Sequence, residues 1–279
     1  MEPNIALSIA GSDSGGGAGI QADLRTFAAH GIHGTTAITA VTAQNTLGVD
    51  AIWALEPEMV LTQVTTVLGD LAVRATKAGM LARPRTIEAV GTLAQQGLLP
   101  HLVVDPVLVS STGHALMESG GAQAYRTSLL PFAEVITPNL RETAVLLNAD
   151  VEEFRDLNAM RDAAQALHSL GAPWVVIKGG HFLEDGATGT ASPDVVVGPD
   201  MNFEIIGPRI ETKNDHGTGC SLSAAIAANL ANGLSPQSAI ESANDFVARA
   251  IASASTWQLG KGHGPIDHLG WGHQAPTPA

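Results

Sequence analysis

The stretch Trp174-Val175-Val176-Ile177-Lys178-Gly179-Gly180 decides the fold. Its apolar, mostly β-branched run reads as a strand buried on both faces, and the switch to lysine and two glycines marks where the chain leaves the sheet. Two other short runs end the same way: His101-Leu102-Val103-Val104 stops at Asp105, and Glu134-Val135-Ile136 stops at Thr137-Pro138-Asn139. Upstream, Ile5 to Ala10, Thr35 to Val41 and, more weakly, Ala75 to Ala78 also read as strands. Helical patterns separate these runs, from about Gly19 to His30, from Glu58 to Leu68 behind Pro57, and onward from Pro84. Two long helices close the chain, at about Thr218–Ala231 and Pro236–Ser255. Strands alternating with helices of roughly 10–15 residues predict an α/β domain with a mostly parallel central sheet and helices on both faces. The irregular 181–213 stretch is predicted to add short antiparallel strands, because its apolar residues come in brief groups.

Composition narrows the function. The chain has 279 residues, is 45% hydrophobic, and carries a net charge of −13 with only 14 Lys plus Arg. No basic stripe occurs, which argues against nucleic acid or an anionic membrane as main partner. Phosphate ligands stay open, since backbone N–H groups can hold them. A lone cysteine, Cys220, allows no intramolecular disulfide, and Met1-Glu2-Pro3-Asn4 lacks the basic start of a signal peptide, so the expected location is cytoplasmic. Apolar stretches are broken well before the roughly 18 residues of a membrane helix. Neither a repeat nor a linker stands out, so residues 1–270 are expected to form one domain, with 271–279 as a disordered tail.

In an open α/β sheet, ligands bind beyond the carboxyl ends of the strands, where Asp105, Thr137-Pro138-Asn139 and Lys178-Gly179-Gly180 fall. Two glycine-rich loops join them. Gly11-Ser12-Asp13-Ser14-Gly15-Gly16-Gly17-Ala18-Gly19 lies between a strand and a helix. It is not a Walker loop, because no Gly-Lys-Ser/Thr follows, and its glycines are too dense for a dinucleotide fingerprint. It is either a flexible turn or a place where backbone approaches a ligand closely. Asp23, one turn inside the next helix, either complements the helix dipole or faces that ligand. The second loop, Asn214-Asp215-His216-Gly217-Thr218-Gly219-Cys220-Ser221, opens a helix of small apolar residues. Its glycines leave amides unobstructed at a helix start, where the macrodipole supplies roughly +0.5 charge. That suits the negative charge of a phosphoryl group in transfer. Cys220 is then either an inert buried thiol or a thiol activated by the helix terminus, able to accept a proton.

Asn139 and Glu142 have the spacing of a capping box, and Glu142 could also lie near a bound metal. Lys178, at the end of an apolar strand, needs a partner or points at the ligand edge. His181, His216 and His263 lack zinc-ligand spacing.

Taken together these residues resemble the ribokinase-like superfamily, and within it the hydroxymethylpyrimidine/phosphomethylpyrimidine kinases of thiamin biosynthesis. The resemblance runs from Ile5 to about His268. It is carried by Ala10–Asp23, Thr39–Thr46, Lys77-Ala78-Gly79-Met80-Leu81, Val104-Asp105-Pro106-Val107, Thr137-Pro138-Asn139, Lys178-Gly179-Gly180-His181, His216–Cys220 and Gly262-His263-Gly264-Pro265. It implies a ribokinase-like fold, ATP and Mg²⁺ as cofactors, an aminopyrimidine substrate and a homodimer. It also implies that Gly11, Asp23, Gln44, Met80 and Val107 meet the pyrimidine. Asp105, Asn139, Glu142, Lys178, Thr218 and Gly219 are implied on the nucleotide side, with Asp105 and Glu142 toward the metal. Cys220, Gly217, Gly219 and Lys178 are implied in catalysis, Cys220 standing where the superfamily usually has an aspartate base.

Three features depart from the family pattern. Asp215 replaces an uncharged threonine, Asp194-Val195-Val196 stands where an Asp-Xaa-Leu lid element is common, and Trp257 and Trp271 have no assigned part. Two rival readings remain at this level, a pyridoxal kinase of the same fold and a nucleotide sensor without chemistry.

Overall fold

A computed structural model describes residues 2–108, 117–154, 156–180 and 191–273. The first half of the chain contributes β1 (Ile5–Asp13), α1 (Gly19–Ala29), β2 (His33–Asn45), β3 (Gly48–Ala54), α2 (Pro57–Asp70), β4 (Val73–Ala78), α3 (Pro84–Gln95) and β5 (Leu102–Val104). A single turn, α4 (Gly121–Ala124), leads to β6 (Val135–Ile136), α5 (Leu140–Leu147), α6 (Leu157–His168) and β7 (Trp174–Ile177). The hairpin strands β8 (Ala191–Val197) and β9 (Asn202–Pro208) precede α7 (Thr218–Ala231) and α8 (Pro236–Ala254).

Among the described residues one sheet runs in the order β3-β2-β1-β4-β5-β6-β7-β8-β9. Pairing is parallel from β2 through β7 and antiparallel at both edges, β2 with β3, β7 with β8 and β8 with β9. The expected α/β architecture is present, and the 181–213 stretch does supply an antiparallel pair. Strand periodicity sorts side chains onto two cores. Leu102, Val104, Val175 and Ile177 face one core with Val60, Val64, Ile87, Val90 and Leu146 from α2, α3 and α5. Val103, Trp174 and Val176 face the other, with Phe27 of α1 and the buried faces of α7 and α8. No described helix is long and apolar enough to cross a membrane.

The helix α7 has the predicted bounds. Gly217 caps it at φ 87°, a conformation that favours glycine. Ser, Ala and Gly dominate its sequence, so its backbone lies close to the sheet and all side chains from Ser221 to Ala231 are buried. Each fully buried Leu or Ile on such a face contributes about 2 kcal/mol. β3 and the carboxyl-terminal ends of β1 and β2, residues 11–13 and 42–45, lie beyond the expected strands. These segments form a ribbon whose outer strand is largely exposed, with Trp53 78% accessible, so it carries little of the apolar alternation that marks a half-buried strand.

Candidate active site

The carboxyl ends of β5, β6 and β7 bring Asp105, Asn139, Glu142 and Lys178 to one place beneath the start of α7. Lys178 Nζ donates to Asp105 Oδ1 at 2.8 Å and lies 3.9 Å from Glu142 Oε2. Gly219 completes the wall: a Cβ there would stand 3.0 Å from Lys178 Nζ. The lysine thus has partners and stands beside the start of α7. Asn139 and Glu142 form the expected capping box, with Asn139 N–H donating to Glu142 Oε2 at 2.8 Å and Glu142 N–H to Asn139 Oδ1 at 2.9 Å. Capping and proximity to the lysine are therefore compatible roles for one carboxylate. Burial pushes the Glu142 carboxyl up to about 7; Lys178 opposes this, while the Asp105 charge adds to it. Lys178 is held above its ordinary value, because Asp105 and Glu142 outweigh the cost of burying its charge.

The turn that carries Lys178 has its own brace. Gly179 N–H donates to Asp194 Oδ1 at 2.9 Å, and Asn244 Nδ2 of α8 donates to Asp194 Oδ2 at 2.9 Å. Burial pushes Asp194 up to about 6. Asp194, one of the three departures from the family pattern, thus holds the turn after β7. His181 lies outside the described residues.

At the head of α7, Thr218 N–H donates to Asp215 O and Ser221 N–H to Gly217 O. The amides of Gly219 and Cys220 belong to the first turn, whose donors have no intrahelical acceptor. A Cβ on Gly217 would lie 1.9 Å from Gly17 O, so the two glycine loops touch. Cys220 accepts from the amide of Gly19, at the start of α1, and lies in the field of Lys77. Burial nevertheless pushes its thiol up to about 11, and Lys77 only partly offsets that. The lowering expected from a helix terminus is absent because desolvation wins; at neutral pH the group is a thiol.

A small apolar cluster adjoins the ion-paired wall through Val107, whose amide donates to Asp105 O at 2.8 Å. Met80 packs with Ala40 and Ala82, with Val107 half-buried against them. A Cβ on Gly11 would come within 3.1 Å of Met80 Sδ. Gly11, Met80 and Val107 are thereby brought together. Asp23 is not part of that surface. It is fully buried, its oxygens 3.0 and 2.9 Å from Lys77 Nζ, and Ser8 Oγ donates to it at 2.5 Å. Burial pushes the Asp23 carboxyl up against the pull of Lys77 and Ser8. Burial works against the Lys77 charge too, but Asp23, with Cys220 and Asp105, holds the ammonium above its usual range. Of the two readings open for Asp23, dipole partner or ligand contact, this structure realises neither: the carboxylate serves a buried ion pair. Lys77 was missed, although a lysine inside an apolar strand asks for a partner.

The first glycine loop is closed by its own aspartate. Asp13 accepts from the amides of Gly15 at 2.8 Å, Gly17 at 3.0 Å and Ala18 at 2.9 Å. Its Oδ2 also lies 3.0 Å from His216 Nε2, which is 3.1 Å from the Gln44 amide. Gln44 thus stands where both loops meet. Asp215 is exposed and pairs with the exposed His263 at 2.7 Å.

A family model described as phosphomethylpyrimidine kinase matches residues 13–267. The hydroxymethylpyrimidine/phosphomethylpyrimidine kinase of Rhizobium meliloti (strain 1021) is 45% identical over 266 residues, covering 95% of this chain and 97% of that one. The crystal structure of phosphomethylpyrimidine kinase from Clostridium difficile 630 matches with a TM-score of 0.76 at 34% identity, covering 89% of this chain and 99% of that one. Pyridoxal kinase from Staphylococcus aureus in complex with AMP-PCP and pyridoxal matches with a TM-score of 0.84 at 33% identity, over 97% and 95% of the two chains.

Proposed function

The chain belongs to the phosphomethylpyrimidine kinase family, and from that premise we propose that it uses ATP to phosphorylate 4-amino-5-hydroxymethyl-2-methylpyrimidine and then its monophosphate, in thiamin biosynthesis. One observation supports this most strongly. The Asp105–Lys178–Glu142 cluster and the glycine-rich start of α7 form a charged, amide-lined wall, and Gly11 and Met80 join Val107, whose amide donates to Asp105 O, in an apolar surface beside it. A phosphate chain suits the first wall, and a methylated heterocycle suits the second.

On this reading Lys178 offsets phosphate charge, and the amides of Gly219 and Cys220 hold the transferring group. Asn139, Glu142 and Thr218 frame the nucleotide side. Asp105 and Glu142 are two buried carboxylates sharing one ammonium, and that uncompensated charge fits a divalent cation. Mg²⁺ is commonly held by one or two carboxylates with substrate phosphates, and bound there it would supply charge neutralisation at the phosphates. Cys220, a thiol at rest, acts through its minor thiolate, whose own proton has left to solvent and which the Lys77 charge favours; the thiolate takes the hydroxymethyl proton as the new P–O bond forms and the bond to ADP breaks. The second transfer has an ionised phosphate as nucleophile and needs no such acceptor. Cys220→Ala is expected to lower kcat of the first step by about 10²-fold or more and of the second by far less. Equal losses in both steps would remove the proton-acceptor role.

The likeness to a pyridoxal kinase favours a second reading, activity on a 5-hydroxymethyl pyridine. Gln44 speaks for the pyrimidine, because one amide offers a donor and an acceptor to the exocyclic amine and its neighbouring ring nitrogen. We also infer a homodimer formed through the β2–β3 ribbon. β3 is a sheet edge, and Trp53 at 78%, Leu47 at 63% and Val41 at 49% accessibility leave apolar surface uncovered on it. Sedimentation of Trp53→Glu is expected to give a monomer, and an unchanged dimer would move the interface elsewhere.

A further inference from the structure

We infer that the Asp13–His216 pair sets the orientation of the Gln44 amide and so decides which heterocycle the site accepts; the inference rests on the reading of Gln44 as the group that meets the pyrimidine edge. The two ends of a glutamine amide are nearly the same shape, so neighbours alone fix which end is which. Here they do so. The Asp13 carboxyl is held below its ordinary range: burial pushes it up, and the bonds from His216 and the loop amides more than offset that. An ionised carboxylate only accepts, so the His216 nitrogen 3.0 Å from Asp13 Oδ2, Nε2, carries a proton. The structure sets Gln44 Nε2, itself a donor, 3.1 Å from that same Nε2, so as placed two N–H groups face each other, and turning the amide end for end relieves this. The contact is attractive only with the carbonyl oxygen at that end.

The other end of the amide agrees. As placed, Gln44 Oε1 lies 3.2 Å from Thr42 Oγ1, whose single proton has a shorter contact with Ser12 O at 3.0 Å and goes there. Thr42 can then only accept from Gln44, which requires the amide nitrogen at that end. With this orientation the one Nε2 proton lies between two acceptors, Asp13 Oδ2 and the Gln44 carbonyl, and Thr42 meets a donor; as placed, donors face each other at His216 and acceptors at Thr42. His216 is held in place as well: its amide donates to Gly264 O at 3.0 Å, and a Cβ on Gly17 would stand 2.4 Å from its ring.

The consequence is chemical. In the aminopyrimidine, the exocyclic amine neighbours the carbon bearing the hydroxymethyl group, and the ring nitrogen lies beyond it. In pyridoxal the aldehyde oxygen occupies the place of that amine. A glutamine whose carbonyl end is fixed at His216 offers that oxygen's second lone pair to the amine of the first substrate and repels the aldehyde of the second. His216 and Asp13 are thus positioning residues acting through Gln44, and they use a partner that neither substrate touches.

The test measures kcat/KM for hydroxymethylpyrimidine and for pyridoxal, with KM for ATP, in the wild type, His216→Phe, His216→Gln and Gln44→Ala. His216→Phe keeps a ring against Gly17 and removes the donor. The pyrimidine-to-pyridoxal ratio is expected to fall by about tenfold or more while KM for ATP stays within about twofold. His216→Gln restores a donor and is expected to recover part of the ratio. If Gln44→Ala collapses the ratio and His216→Phe leaves it at the wild-type value, the inference is overturned. If Gln44→Ala itself leaves the ratio unchanged, the reading of Gln44 fails, and the inference falls with it. Should His216→Phe not fold, the same comparison with His216→Gln decides: KM for ATP rising in step with that for pyrimidine would mean a merely structural histidine.

Discussion

Replacing Lys77 by methionine separates a buried structural charge from a substrate contact. Lys77 and Asp23 are both fully buried, and the ammonium meets both carboxylate oxygens at 3.0 and 2.9 Å. Methionine has nearly the volume of the lysine stem but leaves the Asp23 carboxylate with Ser8 as its remaining polar partner. Breaking a buried pair by removing one member costs about 3–5 kcal/mol. For a chain of this size about 2–4 °C of Tm accompanies each kcal/mol, so thermal unfolding at neutral pH is expected to fall by roughly 6–20 °C. The sign with pH follows from Asp23, whose folded pKa is already raised and rises further without the lysine. A carboxyl with a raised folded pKa destabilises above that pKa and ceases to do so as pH falls toward its unfolded value. The Tm deficit of Lys77→Met should therefore shrink on acidification, and Lys77→Met with Asp23→Leu should recover stability relative to the single variant. Differential scanning calorimetry from pH 5 to about pH 8 reads all three. A deficit under about 1 kcal/mol, or one that grows in acid, would refute the buried-pair argument. A rise in pyrimidine KM for Asp23→Asn with an undiminished Tm would return Asp23 to the substrate surface.

Other expectations follow from the same geometry. With Glu142 pushed up to about 7, kcat/KM should rise with pH through that value as the carboxylate ionises; Glu142→Gln should flatten this limb and raise the Mg²⁺ concentration required, and an unmoved profile would assign the limb to another group. Asp215→Thr removes one member of a half-exposed pair with His263, so ATP KM at low and high Mg²⁺ should stay within about twofold of wild type and stability within about 1 kcal/mol; a clear Mg²⁺-dependent change would make Asp215 part of the nucleotide site.

Much of the architecture is legible because burial writes itself into sequence as period and interruption. The strand at Trp174 and the helix at Thr218 are bounded by residues whose backbone or charge forbids continuation, so their limits could be read directly. The ribbon strand β3 could not, since a mostly exposed strand has no apolar face to betray it. At the site, residues at strand ends were legible by position: Asp105, Asn139, Glu142 and Lys178 do converge. What escaped were properties of pairs distant in the chain. Asp23 with Lys77, Asp13 with His216 and Asp194 with Gly179 each join segments that no local pattern connects. The Cys220 thiol failed for a related reason. A helix terminus is visible in sequence and pulls its pKa down, whereas the burial that pushes it up depends on what packs around it.

The central claim is that one site carries out two successive phosphoryl transfers to an aminopyrimidine. Mass spectrometry of the products formed from hydroxymethylpyrimidine, ATP and Mg²⁺ tests it most directly. The account expects the monophosphate to appear first and the diphosphate to follow at its expense. A folded protein that leaves the pyrimidine unphosphorylated would contradict it.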